Sequence, residues 1–224
     1  DLRSAWTIAA KDLRSEFRTK EALNASLAFS VVILVLFSFA FDPSSEQIAE
    51  FSGGLLWMVY AFAGALVLNR SFARETHNDC LDALLASPAS AASLYLGKCI
   101  ANFTLLMMVE FLSLPVFGLF YGVHWLAQFW MLLAVLALGS WALTVIGTIF
   151  SALTVNLRLR ELMLPTLVYP MMIPALMSAM TLTTVLLAGM PISGDNMIWI
   201  RLLVAFDVIF TTLALAFIDT VLVG

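Results

Sequence analysis

Apolar residues run along this chain in long blocks, and the polar residues gather in the short gaps between them. Six blocks stand out, at residues 22–41, 53–68, 99–121, 129–155, 164–188 and 198–221. Crossing the hydrocarbon core of a bilayer takes about 20 helical residues, and each block is that long or nearly so. A helix is the one open segment that satisfies its own backbone in lipid, so the blocks predict six transmembrane helices. Residues 1–20 follow another period, with Leu2, Trp6, Ala9, Leu13 and Phe17 three or four positions apart. Arg3, Lys11, Arg14, Arg18 and Lys20 lie mostly around the other faces. That pattern predicts an amphipathic helix lying in the membrane interface, its basic stems reaching the headgroups.

The gaps carry the information that the blocks lack. Asp42-Pro43 ends the first span, and the connection up to Ser52 holds Asp42, Glu46 and Glu50 but no Lys or Arg. Residues 122–128 form a tight reversal whose His124 and Trp125, with nearby Trp130, suit the membrane interface. Arg158 and Arg160 mark a short polar turn, and Asp195 sits in a loop at 189–197. The longest gap, 69–98, reads as a loop between the second and third spans. Within it Arg70, Arg74, Glu75, Asp79 and Asp82 alternate with Phe72, Leu81, Leu84 and Leu85, and the leucine spacing predicts a short helix with one apolar edge. Ser87-Pro88 stops it, because proline has no amide hydrogen and pushes its predecessor out of the helical region.

Orientation follows from the basic residues. With the N-terminus placed in the cytoplasm, Arg3, Lys11, Arg14, Arg18, Lys20, Arg70, Arg74, Lys98, Arg158 and Arg160 all fall inside, and only Arg201 falls near the outside. The positive-inside rule therefore puts both termini and the 69–98 loop in the cytoplasm.

Composition narrows the class. Of 224 residues 62% are hydrophobic and 12% charged, more apolar surface than a soluble domain can bury, which leaves an all-α polytopic membrane protein of one domain, 1–224. Eleven Lys and Arg, scattered along the chain, exclude a nucleic-acid surface. Cys80 and Cys99 fall on the cytoplasmic side, so no disulfide is expected, and no CxxCH haem-attachment motif occurs. The first apolar run follows a charged helix and lacks a small-residue cleavage pattern, so no signal peptide is expected. No internal repeat is evident.

Little in the sequence carries chemistry. There is no GxxxxGK[ST] phosphate loop, since Gly97-Lys98 lacks the earlier glycine. His77 and His124 fall on opposite sides of the bilayer, so no metal site is expected, and no catalytic set assembles within one bilayer depth. His124 with Trp125 has two readings, a contact to a porphyrin at the outer surface or interfacial anchoring. Glu110, Asp207 and Asp219 lie within the spans, where a charge at the bilayer centre costs about 2.5–3.5 kcal/mol or more. Glu110 and Asp207 either belong to a polar path or substrate contact, or accept hydrogen bonds from neighbouring helices or are protonated. Asp219, at the inner interface, is expected to be solvated. Gly118 and Gly122 make a GxxxG pair. Pro165, Pro170 and Pro174 predict a fifth helix that is kinked or broken, a device for packing or for lining a route.

Two stretches carry a family resemblance. One is Arg70-x-Phe72-x-x-Glu75, then Leu81-Asp82-x-Leu84 and Pro88, then Leu96-Gly97-Lys98; the other is Leu164-Pro165 through Tyr169-Pro170 and Ile173-Pro174. Together with the order of elements they resemble the haem exporter protein B family, permease subunits of the system I cytochrome c maturation ABC complex, with an ABC-2-type membrane fold. One departure lies at Asn78-Asp79-Cys80, where that family usually has Asp-Gly before Ser or Thr and Leu. Asn and Asp tolerate the left-handed conformation, so the turn is expected to survive.

The resemblance implies a transport subunit, not an enzyme, in a bacterial inner membrane. ATP would be bound and hydrolysed by a separate ABC ATPase subunit, and haem would be the substrate, with no cofactor held by this chain. The loop at 69–98 would be the coupling segment: Phe72, Leu81, Leu84 and Leu85 as apolar knobs in a cleft of the ATPase, Arg70, Arg74, Glu75 and Asp82 as rim charges, Pro88 as the stop. Other membrane subunits of the maturation complex and a haem chaperone would be partners. Because ABC permeases supply two membrane halves, a homodimer or hetero-oligomer is implied. An ABC-2 permease exporting a lipid, drug or polysaccharide is the alternative.

Overall fold

The computed structural model describes residues 2–41, 46–70, 90–154 and 160–223. Seven long helices account for nearly all of them: α1 (Leu2–Thr19), α2 (Glu21–Ala40), α3 (Glu46–Asn69), α4 (Ala91–Tyr121), α5 (Phe129–Thr154), α6 (Arg160–Leu187) and α7 (Met197–Val223), with a 3-10 turn at Gly194–Asn196. The last six are long and apolar enough to cross a membrane, so the chain is a multi-pass membrane protein.

Helices α3, α4, α5 and α6 form the centre, α2 lies against α3 and α4, and α7 against α5, α6 and α4. Lipid offers no hydrophobic driving force between helices, so close approach and hydrogen bonds must hold them. Small residues open the way. The Trp57 ring occupies the place a side chain at Gly139 would take, Leu68 does the same over Gly147, and Leu143 over Gly64. Hydroxyl and indole groups then tie the faces together. Trp57 donates to Thr183 at 2.9 Å between α3 and α6, Tyr95 to the Val145 carbonyl at 2.7 Å between α4 and α5, and Tyr121 to the Leu34 carbonyl at 2.7 Å between α4 and α2. Further ties run from Tyr169 to the Ala61 carbonyl and from Trp141 to Thr211. The outward faces of α2 and α7 expose Val32, Leu36, Phe39, Val208, Ile209 and Phe217, as lipid contact requires.

Three expectations become narrower. Helix α4 begins at Ala91, so residues 91–98 are helical and the 69–98 stretch is not a loop throughout. Ser90 makes the start possible, its side chain accepting from the Ser93 amide at 3.2 Å, which satisfies one of the free donors of the first turn. Lys98, the charge that argued for a loop there, is accommodated in the helix by an ion pair to α1. Of the two readings of the fifth helix, kinked or broken, the break falls away, because α6 continues through Pro165, Pro170 and Pro174. Each proline removes one backbone bond, and the bonds of the flanking turns carry the helix past it. Among the described residues, no neighbouring helix fills the space over the Gly118 and Gly122 pair. Trp125 folds back over Gly118, while Gly122, at φ +62°, terminates α4 in the left-handed region that favours glycine.

Candidate functional site

Helix α1 is the unusual element, because it has three faces where the amphipathic pattern predicts two. Ala5, Ile8, Ala9 and Glu16 are buried and Asp12 nearly so, a stripe at i, i+3, i+4, i+7 and i+11 that packs on α4. Gly97 permits the contact: a Cβ there would stand 2.7 Å from the Ala5 carbonyl oxygen and 2.8 Å from Ile8 Cβ. One residue on, the Lys98 ammonium, with 3% of its side chain exposed, lies 2.8 Å from the Asp12 carboxylate.

The same helix is tied to α2. The chain reverses at Lys20, whose φ of 55° is left-handed. Glu16 then lays its carboxylate on the N-terminus of α2, accepting from the amides of Ala22 at 2.7 Å and Leu23 at 3.0 Å. An acceptor of negative charge there satisfies orphan donors and complements the helix dipole. Arg70, at the end of α3, pairs with Glu21 in the first turn of α2. Both partners are well exposed, so this pair fixes position more than it stabilises.

One end of the bundle thus gathers α1, the start of α2, the end of α3 and the start of α4 into one bonded junction. The stretch 71–89 departs from Arg70 and returns at Ser90, both at this junction. Phe72, Arg74, Glu75, Leu81, Asp82, Leu84, Leu85 and Pro88 lie outside the described residues; Arg70 alone of that set is placed. Sequence reasoning missed Asp12 and Glu16, and met Gly97 only within the Leu96-Gly97-Lys98 resemblance. The available signal was the small-residue and acid stripe of α1, masked by the stronger one of Leu2, Trp6, Leu13 and Phe17.

The buried acids are placed differently from one another. Glu110 is fully buried where α3, α4 and α5 meet, and Ser140 donates to its Oε1. Tyr60 donates to the Glu110 carbonyl at 3.3 Å, and the Ser113 hydroxyl lies 3.3 Å from that of Tyr60. Glu110 Oε2 has no hydrogen-bond partner among the described residues, and neither has either carboxylate oxygen of Asp207, which is 7% exposed on α7. The two acids are therefore not bonded to each other. Asp219 is exposed.

At the opposite end His124 is held by its main chain, its amide donating to the Leu187 carbonyl and its carbonyl accepting from Ala127, both at 3.0 Å. Its side chain is exposed beside Gly189, whose φ of +79° closes α6. Two grooves of about 270 Å³ are apolar, one between α5, α6 and α7 along Ile149, Phe150, Met171 and Phe217, the other between α2 and α3 along Phe37, Phe41, Phe51 and Met58. Neither offers a polar group that would orient a charged cargo. Among the described residues, no three of His, Cys, Asp and Glu gather closely enough to hold a metal ion.

Residues 3–222 match the family described as CcmB protein. Among similar proteins, "Heme exporter protein B" of Pseudomonas aeruginosa is 30% identical over 209 residues, which is 93% of each chain. The protein of the same name from Rhodobacter capsulatus is 31% identical over 169 residues, 75% of this chain and 77% of its own. That from Paracoccus denitrificans is 32% identical over 166 residues, 74% of this chain and 76% of its own.

Proposed function

The chain belongs to the CcmB protein family, and from that membership we propose that it is the permease subunit of an ABC transporter serving haem export in c-type cytochrome maturation. The observation that carries this is the near end-to-end similarity to proteins named heme exporter protein B, over 93% of both chains in one case. The six apolar helices supply the membrane half of such a machine and leave nucleotide hydrolysis to a separate ATPase subunit. Haem, or a haem-loaded chaperone released outside, is the cargo, and other membrane subunits of the maturation complex complete the assembly.

In this reading the junction end faces the cytoplasm of a bacterial cell, as the distribution of Lys and Arg favours, and both termini lie there. The stretch 71–89 seats in a cleft of the ATPase, with Phe72, Leu81, Leu84 and Leu85 entering it and Arg74, Glu75 and Asp82 fixing its register. Closure of the ATPase pair upon nucleotide pulls on Arg70 and Ser90 together. Helices α2, α3 and α4, with α1 riding on α4, then move as one.

The test is a reconstituted complex with its ATPase. Leu84→Asp, or charge reversal at Glu75 or Asp82, is expected to abolish the stimulated part of ATP hydrolysis and haem delivery to the chaperone. Unchanged stimulation refutes the coupling role, and haem delivery that does not require this chain refutes the cargo.

A further inference from the structure

Docking consumes only one face of α1, and what remains is itself divided. Counting about 100° per residue, Leu2, Trp6, Leu13 and Phe17 lie roughly a quarter-turn from the stripe that packs on α4. Leu2 is 82%, Trp6 66% and Phe17 42% exposed, a cost in water that no covering group among the described residues offsets. Roughly another quarter-turn on come Arg3, Arg14 and Arg18, all exposed, and the half-exposed Lys11. The acids of α1 are Asp12 and Glu16; Glu16 turns inward onto the N-terminus of α2, and Asp12 lies between Lys98 at 2.8 Å and Lys11 at 3.2 Å. With Glu16 inward and Asp12 shared by two lysines, Arg3, Arg14 and Arg18 dominate the outward charge of the helix.

We propose that α1 is a binding seat for anionic phospholipid headgroups in the leaflet on which it lies. Its exposed apolar stripe enters the acyl boundary. The adjacent arginines meet phosphate oxygens, for which the planar guanidinium is a good match, and each basic group near an anionic surface adds to the attraction. A zwitterionic headgroup satisfies the apolar stripe equally well but does not balance the arginines, so the surface selects for net negative charge. Because α1 is bonded to α4 and α2, lipid bound there holds the junction end of the bundle at a set depth. The inference does not depend on what the protein carries.

The test offers the full chain, in mild detergent, equal amounts of dioleoylphosphatidylglycerol and dioleoylphosphatidylcholine, with bound lipid counted by native mass spectrometry. The wild type is expected to retain the anionic lipid in excess. The triple variant Arg3→Gln, Arg14→Gln, Arg18→Gln is expected to lose at least about tenfold of that preference, up to roughly fivefold for each arginine, and the corresponding triple lysine variant to keep most of it. Far-UV circular dichroism controls for folding, and the three side chains are exposed and carry no part of the docking. Equal retention of the two lipids by the wild type overturns the proposal. So does a glutamine variant that keeps the preference but no longer holds the ATPase subunit, which would assign the basic face to a protein.

Discussion

The Asp12–Lys98 pair can be made to report whether α1 is docked on α4 or merely rests beside it. At 2.8 Å and an effective dielectric of about 20 the attraction is about 6 kcal/mol before desolvation is subtracted. The two partners are unequally placed, since 3% of the Lys98 side chain is exposed and 20% of that of Asp12. Asp12→Ala therefore removes the carboxylate that a nearly buried ammonium faces, and removing one partner of a buried pair costs about 3–5 kcal/mol. Lys98→Met leaves a carboxylate that can reach water and keeps Lys11 at 3.2 Å, at a cost of about 1 kcal/mol. The double variant should cost little more than Lys98→Met, because the stranded charge has gone. Hydrogen exchange of the 2–19 amides measures this directly, since 1.4 kcal/mol is a tenfold change in opening. Protection should fall about a hundredfold or more in Asp12→Ala, about fivefold in Lys98→Met and about fivefold in the double variant. Strictly additive losses, or a larger loss in Lys98→Met, would refute the buried-pair reasoning.

Other substitutions probe the centre and the far end. Gly139→Ala should lower the melting temperature more than Gly147→Ala, because the Trp57 ring over Gly139 is pinned by its bond to Thr183, whereas Leu68 over Gly147 meets the new methyl with a flexible tip; the reverse order would contradict that packing. Ser140→Ala removes the donor to the fully buried Glu110 and is expected to destabilise by about 1–3 kcal/mol in a detergent unfolding titration, while Ser140→Thr keeps the hydroxyl and most of the stability. Equal losses in the two would show the bond to be idle. His124→Ala should leave haem delivery unchanged, since main-chain bonds place that residue; a loss of delivery with normal expression would make the imidazole a porphyrin contact.

How far the sequence revealed this structure depends on which surface a residue faces. The six spans announce themselves because lipid tolerates only long apolar helices, and their ends agree with the expected ones at Phe129 and Tyr121. Where two protein surfaces meet, hydropathy is silent. Residues 91–98 look like loop because Ser93, Gly97 and Lys98 are poor membrane residues taken singly. They are helical because Ser90 caps them and α1 supplies the matching Ala5, Ile8 and Asp12, a pairing across more than eighty residues of chain. Glu110 was legible as a buried acid, but its donor Ser140 was not, since serines recur throughout the spans. The prolines of α6 mark the loss of backbone bonds without saying that the helix runs on through them.

The junction also constrains how force entering at 71–89 would travel. That stretch meets the bundle at Arg70, which is paired with Glu21 on α2, and at Ser90, which caps the helix that carries Gly97 and Lys98 against α1. Glu16 closes the circuit by joining α1 back to α2. A pull on the stretch therefore cannot tilt α3 or α4 alone without breaking a charge-assisted bond on α1 or α2. Deeper in the bundle the links differ in kind. They are hydrogen bonds from side chain to side chain or backbone: Trp57 to Thr183 and Tyr169 to the Ala61 carbonyl join α3 and α6, and Tyr95 to the Val145 carbonyl and Ser140 to Glu110 join α4 and α5. A displacement of α3 and α4 should accordingly be handed on to α5 and α6 through these buried bonds, since sliding past them would leave polar groups unpaired.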